Sequence, residues 1–187
     1  MTKSLAHQPQ DLYECYRQQS GQVYMSGVQA LARIPMAQIR RDRAIGLNTG
    51  GFISGYRGSP LGLLDNTLTQ AQPYLDQYNI RFQPGVNEEL AATMVWGSQQ
   101  LHLSKKAQYD GLVGMWYGKG PGVDHCGVYL SMPMQQDQQP MGACYVWRVM
   151  IMGQNHPLYL ISLITHLCHP LCPCFTLLLS MSTCGWV

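Results

Sequence analysis

Residues 48–75, NTGGFISGYRGSPLGLLDNTLTQAQPYL, change their hydrophobic period halfway along, and this change indicates the fold. The run FISGY at 52–56 is short and mostly apolar and follows a glycine turn, which is typical of a buried strand. Beyond the loop GYRGSP, apolar residues recur every three or four positions and would line one face of a helix of about four turns. These residues are Leu61, Leu64, Leu68, Ala71 and Leu75. The stretch therefore predicts a strand followed by a helix.

A helical pattern also precedes this stretch. Val28, Leu31 and Ile34 share one face of a helix. Pro35 suits the first turn of a helix, because proline lacks only an N–H that is unbonded there. The sequence therefore predicts a second helix that opens at Pro35 and ends near Gly46.

Two more strands and a helix are expected on the C-terminal side. Residues 80–83 and 109–115 have strand patterns, and Asn87 can cap a helix between them. The core side of that helix is predicted to be Leu90, Met94 and Leu101. Alternating strands and helices with short links predict an α/β fold with a parallel sheet.

Ligands of such sheets bind beyond the carboxyl ends of the strands, which makes three loops candidates for a site. The first is GYRGSP, in which Gly55 and Gly58 permit a close backbone approach. Arg57 and Ser59 in the same loop can donate to a carboxylate or a phosphate. The alternative is an ordinary strand-to-helix turn, with Pro60 opening the helix.

The other two loops are QPGVNEE and YGKGPGVD. Glu88 lies one residue after the expected cap and near a strand end, where a partly desolvated carboxylate can hold a proton. Glu89 is expected to face solvent, and the alternative is that both acids merely complement the helix dipole.

In YGKGPGVD, Lys119 adds a charge to three glycines that expose backbone amides, but the spacing is not that of a Walker loop. A flexible turn is the alternative there.

The composition changes after Cys126. Of the 22 charged residues 20 lie in residues 1–126, whereas five of the seven cysteines lie in the last 61 residues. Folded soluble domains carry roughly 25% charged residues, so the second part differs from an ordinary soluble surface. A net charge of +2 argues against a nucleic-acid partner. The N-terminus, MTKSLAHQPQDLYE, has no apolar signal core, which predicts a cytoplasmic protein with a disordered segment at 1–10.

Three strings carry a resemblance to a known family: GLNTGGFISGYRGSPLG, FQPGVNEELAATMVWGSQQ and YDGLVGMWYGKGPGVDHCG. They resemble the N-terminal, thiamine-pyrimidine-binding domain of the bacterial indolepyruvate ferredoxin oxidoreductases, within the 2-oxoacid:ferredoxin oxidoreductases. The resemblance covers residues 11–127 without a gap. It implies an α/β fold, an incomplete parallel-sheet domain that binds the pyrimidine of thiamine diphosphate.

The resemblance also implies a reaction and its residues. The family oxidatively decarboxylates aryl 2-oxoacids, passes electrons through iron–sulfur clusters to ferredoxin and transfers the acyl group to coenzyme A. The family glutamate that hydrogen-bonds the aminopyrimidine ring falls on Glu88. Candidate cofactor-binding residues are Tyr56, Arg57, Gly58, Ser59, Gly118, Lys119 and Gly120. The magnesium, diphosphate and cluster sites of the family lie in its remaining domains, so no metal ligand is expected on this chain.

The family sequence breaks off near residue 127, and a displaced reading frame explains the break. Back-translation from the third base of the Val128 codon can give VFKHANAAGPTAHGGVLCVAGDDHGAKSP, which resembles the family continuation. Wobble bases leave freedom at most positions, but six are forced by neighbouring codons and all six agree with the family string. The forced residues begin at the codons of Met132, Met134, Met141, Cys144, Met150 and Met152. The sequence therefore predicts that residues 128–187 are a frameshifted tail without a native domain, from a sequencing error or a pseudogene.

Other interpretations of the chain remain open. Cys168, Cys172 and Cys174, with His166 and His169, suggest a zinc or iron–sulfur site, although C-x3-C-x-C fits no standard ligand spacing. The apolar residues 158–181 suggest a small membrane-anchored protein, although two prolines and two histidines interrupt them. The three glycine-rich loops also suit a non-catalytic module that binds a phosphate or nucleotide. If the tail is frameshifted, we expect the α/β unit to lack its fourth strand and the chain alone to be inactive.

Overall fold

The computed structural model describes residues 12–57, 62–103, 106–119, 121–122, 125–126, 145–151, 160–161 and 179–180. The expected disorder of residues 1–10 and most of the predicted tail lie outside these ranges. The described chain is a mixed α/β structure with an open, all-parallel sheet. Its strands are β1 (Thr49–Gly55), β2 (Ile80–Phe82), β3 (Gly111–Lys119) and β4 (Tyr145–Ile151), in the order β2-β1-β3-β4. The predicted fold class is confirmed at this level.

Helices connect the strands and cover both faces of the sheet. They are α1 (Glu14–Arg17), α2 (Gly27–Ala44), α3 (Gly62–Gln70), α4 (Gln72–Gln77) and α5 (Glu88–Ser98), with a short 3₁₀ turn at Leu101–Leu103. The chain moves from β1 to β2 on one side and then returns past β1 to β3 on the other. Right-handed crossovers in opposite directions place their helices on opposite faces. The packing agrees, because α3 and α4 bury one face of the sheet and α5 buries the other.

The residues of β3 alternate between the two cores. Val113, Met115 and Tyr117 pack on the face covered by α2, α3 and α4. Trp116 points the other way and packs with Val95 of α5 and with other small or apolar side chains. This alternation is the two-residue period of a strand buried on both faces. It explains why the strand reads as nearly continuous apolar sequence.

A single helix, α2, replaces the two helices predicted around Pro35. Pro35 lies inside α2 and is buried. Proline in a helix interior removes one backbone hydrogen bond, which usually bends or ends the helix. Here the flanking residues Leu31, Met36 and Ile39 are buried in the core on both sides of the proline. The helix and its buried face continue across the proline, so the predicted break at Pro35 is wrong.

Residues 61–75 were predicted to form one helix, but the structure has two helices there, α3 and α4. The apolar stripe is confirmed from Leu64 onward, since Leu64, Leu68, Ala71 and Leu75 are all buried, while Leu61 lies outside the described residues. The helix is interrupted at Ala71, and α4 starts with Pro73 in its first turn. Proline has no N–H to donate to the preceding turn and fits best at a helix start. The interruption therefore follows from Pro73.

The cap of α5 is confirmed, but its predicted core side is wrong. The Asn87 side chain accepts a hydrogen bond from the Leu90 backbone N–H at 2.8 Å. Leu90 itself is 51% exposed, whereas Ala91, Ala92 and Val95 are buried. The small alanines let the helix lie close to the sheet. The strand after α5 is also longer at its end than predicted, because β3 extends to Lys119 and not only to Met115.

A fourth strand is present, contrary to the expectation that the frameshifted tail leaves the unit without one. β4 pairs in parallel with β3, with Val113 opposite Tyr145 and Lys119 opposite Ile151. Two short antiparallel strands, β5 (Leu160–Ile161) and β6 (Leu179–Ser180), form a separate pair. Among the residues that the structure describes, no helix is long and apolar enough to cross a bilayer.

Candidate functional site

The first two loops are joined to the end of β1 by backbone hydrogen bonds. The Gln83 N–H donates to the Ile53 carbonyl at 2.9 Å, and the Gly85 N–H donates to the Gly55 carbonyl at 2.8 Å. On the other side of β1, the Tyr56 N–H donates to the Tyr117 carbonyl at 3.4 Å. These bonds continue the sheet ladder beyond β2. They bring the predicted loops together at the carboxyl edge of the sheet.

Gly55 packs closely against β3 at this edge. A Cβ built on Gly55 would lie 2.4 Å from both Cγ and the carbonyl oxygen of Tyr117. No side chain fits at that distance, so the sequence needs glycine here because of packing against β3. The glycine predicted to permit close approach does so, and its neighbour is Tyr117.

Glu88 is the first residue of α5 and is half-buried, whereas Glu89 is exposed. The backbone carbonyl of Glu88 accepts a hydrogen bond from Nε1 of Trp116 at 3.2 Å. Its side chain lies against Gly122, where an added Cβ would be 2.5 Å from Glu88 Cγ and 3.1 Å from Cδ. The third loop therefore covers the Glu88 side chain through a glycine that leaves room for it. Glu88 is positioned by β3, by the Asn87 cap and by the segment around Gly122.

The segment that follows β3 also buries a thiol near the two glutamates. Cys126 is buried with Trp116 and with Ala91, Ala92 and Val95 of α5. Burial and the neighbouring carboxylates of Glu89 and Glu88 raise the pKa of Cys126 to about 11. A thiol with a raised pKa is protonated at neutral pH and is a poor nucleophile. Cys126 is accordingly a core residue of this edge.

Arg57 lies beside a buried carboxylate that the sequence did not single out. Nε of Arg57 is 3.4 Å from Oδ2 of Asp65, and the side chains of Arg57 and Asp65 are 66% and 2% exposed. The other oxygen, Oδ1, accepts a hydrogen bond from the Tyr117 hydroxyl at 2.8 Å. Burial, this hydrogen bond and the negative charge of Asp65 raise the pKa of Tyr117. Tyr117 therefore stays protonated and acts as a donor.

The predicted cofactor-binding residues fall into two groups. Tyr56, Arg57, Gly118 and Lys119 are described, and the last two end β3 instead of lying in a free loop. A Cβ on Gly118 would lie 2.4 Å from the Trp116 ring, so this glycine leaves room for that indole. Gly58, Ser59 and Gly120 lie outside the described residues.

Sequence reasoning missed Asp65 and the roles of Tyr117 and Trp116. A signal for Asp65 existed, because it follows Leu61 by four positions and precedes Leu68 by three. That spacing puts it on the apolar face of the helix, where an unpaired carboxylate is costly. Tyr117 and Trp116 could not be assigned roles, since their partners are distant in sequence.

Comparisons with protein-family models, with curated proteins and with solved structures found no match for the chain. Within the described ranges, no group of three or more His, Cys, Asp or Glu side chains is arranged to hold a metal ion. The cysteines considered for a metal site, Cys168, Cys172 and Cys174, lie outside those ranges.

Proposed function

We propose that residues 11–127 are a partial thiamine-pyrimidine-binding domain of a thiamine-diphosphate-dependent 2-oxoacid:ferredoxin oxidoreductase. In the intact cytoplasmic enzyme the substrate is an aryl pyruvate such as indolepyruvate, with coenzyme A as acyl acceptor and ferredoxin as electron acceptor. Residues 128–187 are, in this proposal, a frameshifted tail. The chain by itself is inactive, because the diphosphate, magnesium and cluster sites belong to other domains.

The observation that carries the proposal is the environment of Glu88. A half-buried carboxylate at a helix N-terminus, at the carboxyl edge of a parallel sheet, suits a hydrogen bond to a cationic or imino ring nitrogen. Gly122 lies beside it with no side chain, and a Cβ there would collide with Glu88. These residues fit the pyrimidine side of thiamine diphosphate.

The chain's own residues would divide the work at such a site. Thiamine diphosphate, when bound, supplies the carbanion chemistry that decarboxylates a 2-oxoacid. Glu88 would bind the pyrimidine and hold a proton at its carboxylate oxygen, while Trp116 fixes the backbone of Glu88. Arg57, with an exposed side chain, would bind the anionic end of the substrate.

Calorimetric titration tests the cofactor assignment directly. The intact enzyme, with residues from 128 onward restored to the displaced frame, is titrated with thiamine diphosphate, and separately with ATP. We expect heat of binding with thiamine diphosphate only. Binding of ATP alone would contradict the proposal and favour a nucleotide-binding module built on the three glycine-rich loops.

Two neighbouring glutamates give a matched test of the catalytic role. In the intact enzyme with the frame restored, we expect Glu88→Gln to lower kcat at least about 100-fold, the lower range for loss of a general acid–base group. Glu89→Gln should stay within about twofold, because Glu89 is exposed at the same helix end. Steady-state reduction of ferredoxin measures both. Equal losses in the two variants would show that the helix-end charge matters and the position does not.

Genomic DNA decides the origin of the tail. Resequencing across codons 120–190 and reading all three frames is expected to show an open displaced frame with a base lost or gained near codon 127. A displaced frame interrupted by stop codons, without the family continuation, would make the tail genuine and overturn this part of the proposal.

A further inference from the structure

Asp65 is a buried carboxylate with an incomplete set of partners. It is 1% exposed, and its Oδ1 is bonded to the Tyr117 hydroxyl. Oδ2 has no hydrogen-bond partner. Arg57 Nε lies 3.4 Å from Oδ2, within ion-pair distance but without hydrogen-bond geometry. A buried charge is retained at a cost unless it is paired, so its position requires a reason.

A second buried aspartate in the same fold shows what a purely structural role looks like. Asp42 is 2% exposed and lies at the opposite end of β1. Its Oδ2 accepts from Thr49 Oγ1 at 2.7 Å and its Oδ1 accepts from Gln38 Nε2 at 2.8 Å. Both oxygens of Asp42 are thus satisfied by neutral donors inside the fold. Asp65 differs because one oxygen is directed at an exposed guanidinium.

The contact to Asp65 determines which atoms of Arg57 remain available. It is made through Nε, on the inner side of the guanidinium, and the Arg57 side chain is 66% exposed. A planar guanidinium anchored at Nε presents its two terminal nitrogens together, in the geometry that binds a carboxylate with two parallel hydrogen bonds. Arg57 follows directly after the last residues of β1, at the edge where the three loops meet.

We propose that Asp65, held by Tyr117, orients Arg57 to bind the carboxylate of an aryl 2-oxoacid at the carboxyl edge of the sheet. Asp65 and Tyr117 are positioning residues, and Arg57 is the group that contacts the ligand. The ligand class rests on the proposed function, whereas the orientation of Arg57 by Asp65 does not.

Phenylglyoxal modification of arginines, followed by peptide mass spectrometry, tests the orientation in the 187-residue chain. Arg81, an exposed arginine on β2, serves as the internal reference. Asp65→Asn removes the carboxylate that pairs with Arg57 and is expected to raise the Arg57:Arg81 rate ratio at least threefold. Asp42→Asn, the matched control, should leave the ratio unchanged. An unchanged ratio in Asp65→Asn, or an equal change in Asp42→Asn, overturns the proposal.

Protection by added anions tests the ligand class. Indole-3-pyruvate should slow the modification of Arg57, and its half-protecting concentration should rise at least fivefold in Asp65→Asn. Protection by inorganic phosphate alone would support the orientation of Arg57 but overturn the carboxylate ligand. Protection that is equal in the parent and the variant would overturn the role of Asp65, even if thiamine diphosphate binds as proposed.

A further variant keeps the test decisive if Asp65→Asn unfolds the chain, in which case buried and exposed arginines react alike. Tyr117→Phe retains the carboxylate and removes only the hydroxyl that holds it. We expect a smaller rise of the Arg57:Arg81 ratio, of about twofold, since a charge-assisted hydrogen bond is lost while the ion pair remains. No change in this variant would show that Tyr117 does not position the pair.

Discussion

Two buried tyrosines have hydroxyl groups in opposite situations. The Tyr117 hydroxyl donates to the buried Asp65 carboxylate. The Tyr16 hydroxyl has no hydrogen-bond partner, and the Tyr16 ring packs beside the rings of Tyr13 and Tyr74, with centroids 6.5 and 5.4 Å away. Burial raises the pKa of both phenols. The two side chains therefore separate the effect of a bonded buried hydroxyl from that of an unbonded one.

Removing each hydroxyl should have a different effect on stability. Tyr117→Phe leaves a buried carboxylate short of a donor and is expected to lower the free energy of unfolding by about 1.5–3 kcal/mol, as for a hydrogen bond to a charged group. Tyr16→Phe removes an unsatisfied polar group and should change it by less than about 0.5 kcal/mol or raise it slightly. Urea unfolding followed by circular dichroism measures both. Equal destabilisation would show that the Asp65 hydrogen bond contributes nothing.

Glycine at the end of β1 is required by space and not by backbone angle. Gly55→Ala should lower the free energy of unfolding by about 3 kcal/mol, because the new Cβ would overlap the Tyr117 ring and carbonyl. Gly97→Ala is the control, since nothing lies within 4 Å of a Cβ there and alanine favours the helix α5 by about 0.5–1 kcal/mol. Thermal unfolding of the two variants should therefore shift in opposite directions. A tolerated Gly55→Ala would mean that β1 and β3 are further apart than described.

At the scale of single residues, a local sequence pattern predicts functional side chains at the end of a helix or strand better than it predicts contacts between residues distant in sequence. Glu88 was distinguishable from Glu89 because its position after a cap and a strand indicates partial burial. Asp65 and Tyr117 are 52 positions apart, so their hydrogen bond has no local signal. The candidate carboxylate was predictable, and the pair that positions Arg57 was not.

Helix α2 has a complete capping box at its start. Ser26 Oγ accepts from the Gln29 backbone N–H at 3.2 Å, and Gln29 Oε1 accepts from the Ser26 N–H at 2.8 Å. Both bonds satisfy donors that a helix start leaves open. This start fixes the direction of the helix that packs on β1.

Loss of the cap should weaken the whole domain, because α2 contributes a large part of the main core. We expect Ser26→Ala to lower the free energy of unfolding by about 1 kcal/mol. Ser26→Asp, which keeps an acceptor and adds a charge that complements the helix dipole, should stay within about 0.3 kcal/mol of the parent. Chemical denaturation is the measurement. An alanine variant as stable as the parent would mean that solvent replaces the cap at no cost.

At the scale of elements, hydrophobic period predicted which segments are helices and strands, while proline misled twice. Pro35 was expected to start a helix and lies inside one, and Pro73 was not expected to interrupt a helix but does. The local chemistry of the two prolines is the same. Buried residues flank both prolines, Leu31 and Met36 around the first and Ala71 and Leu75 around the second. Neither the local chemistry nor burial alone therefore decides which of the two interrupts a helix.

In the whole molecule, the sheet is buried on both faces by helices from the first 126 residues, and its fourth strand, β4, comes from beyond residue 127. The parallel arrangement of β1, β2 and β3 follows from the alternation of elements in the sequence. The strand order β2-β1-β3-β4 does not, since it depends on which edge each crossover reaches. From the change of composition after Cys126 we predicted a shift of reading frame. We did not predict that a segment beyond it, β4, would pair with β3.

The 187-residue chain should not turn over its proposed substrate. With indolepyruvate, thiamine diphosphate, coenzyme A and ferredoxin supplied, we expect no ferredoxin reduction above background, because half of the cofactor site and all cluster ligands are expected on other domains. The intact enzyme with the frame restored is the positive control. Turnover by the 187-residue chain would contradict the assignment of those sites to other domains.

The pairing of β4 with β3 does not require one particular amino-acid sequence. The pairing runs through main-chain groups, which are identical for every residue except proline, and the segment YVWRVMI is rich in β-branched and aromatic residues. If the tail is frameshifted as proposed, a sequence read in the wrong frame still contains segments that favour extended structure, and such a segment can pair with this edge. β4 would then cover the edge of β3 while presenting an edge of its own. Quality control in the cell would meet a paired β3 whose neighbour did not come from the native frame, which is harder to distinguish from a native fold than an unpaired β3 would be.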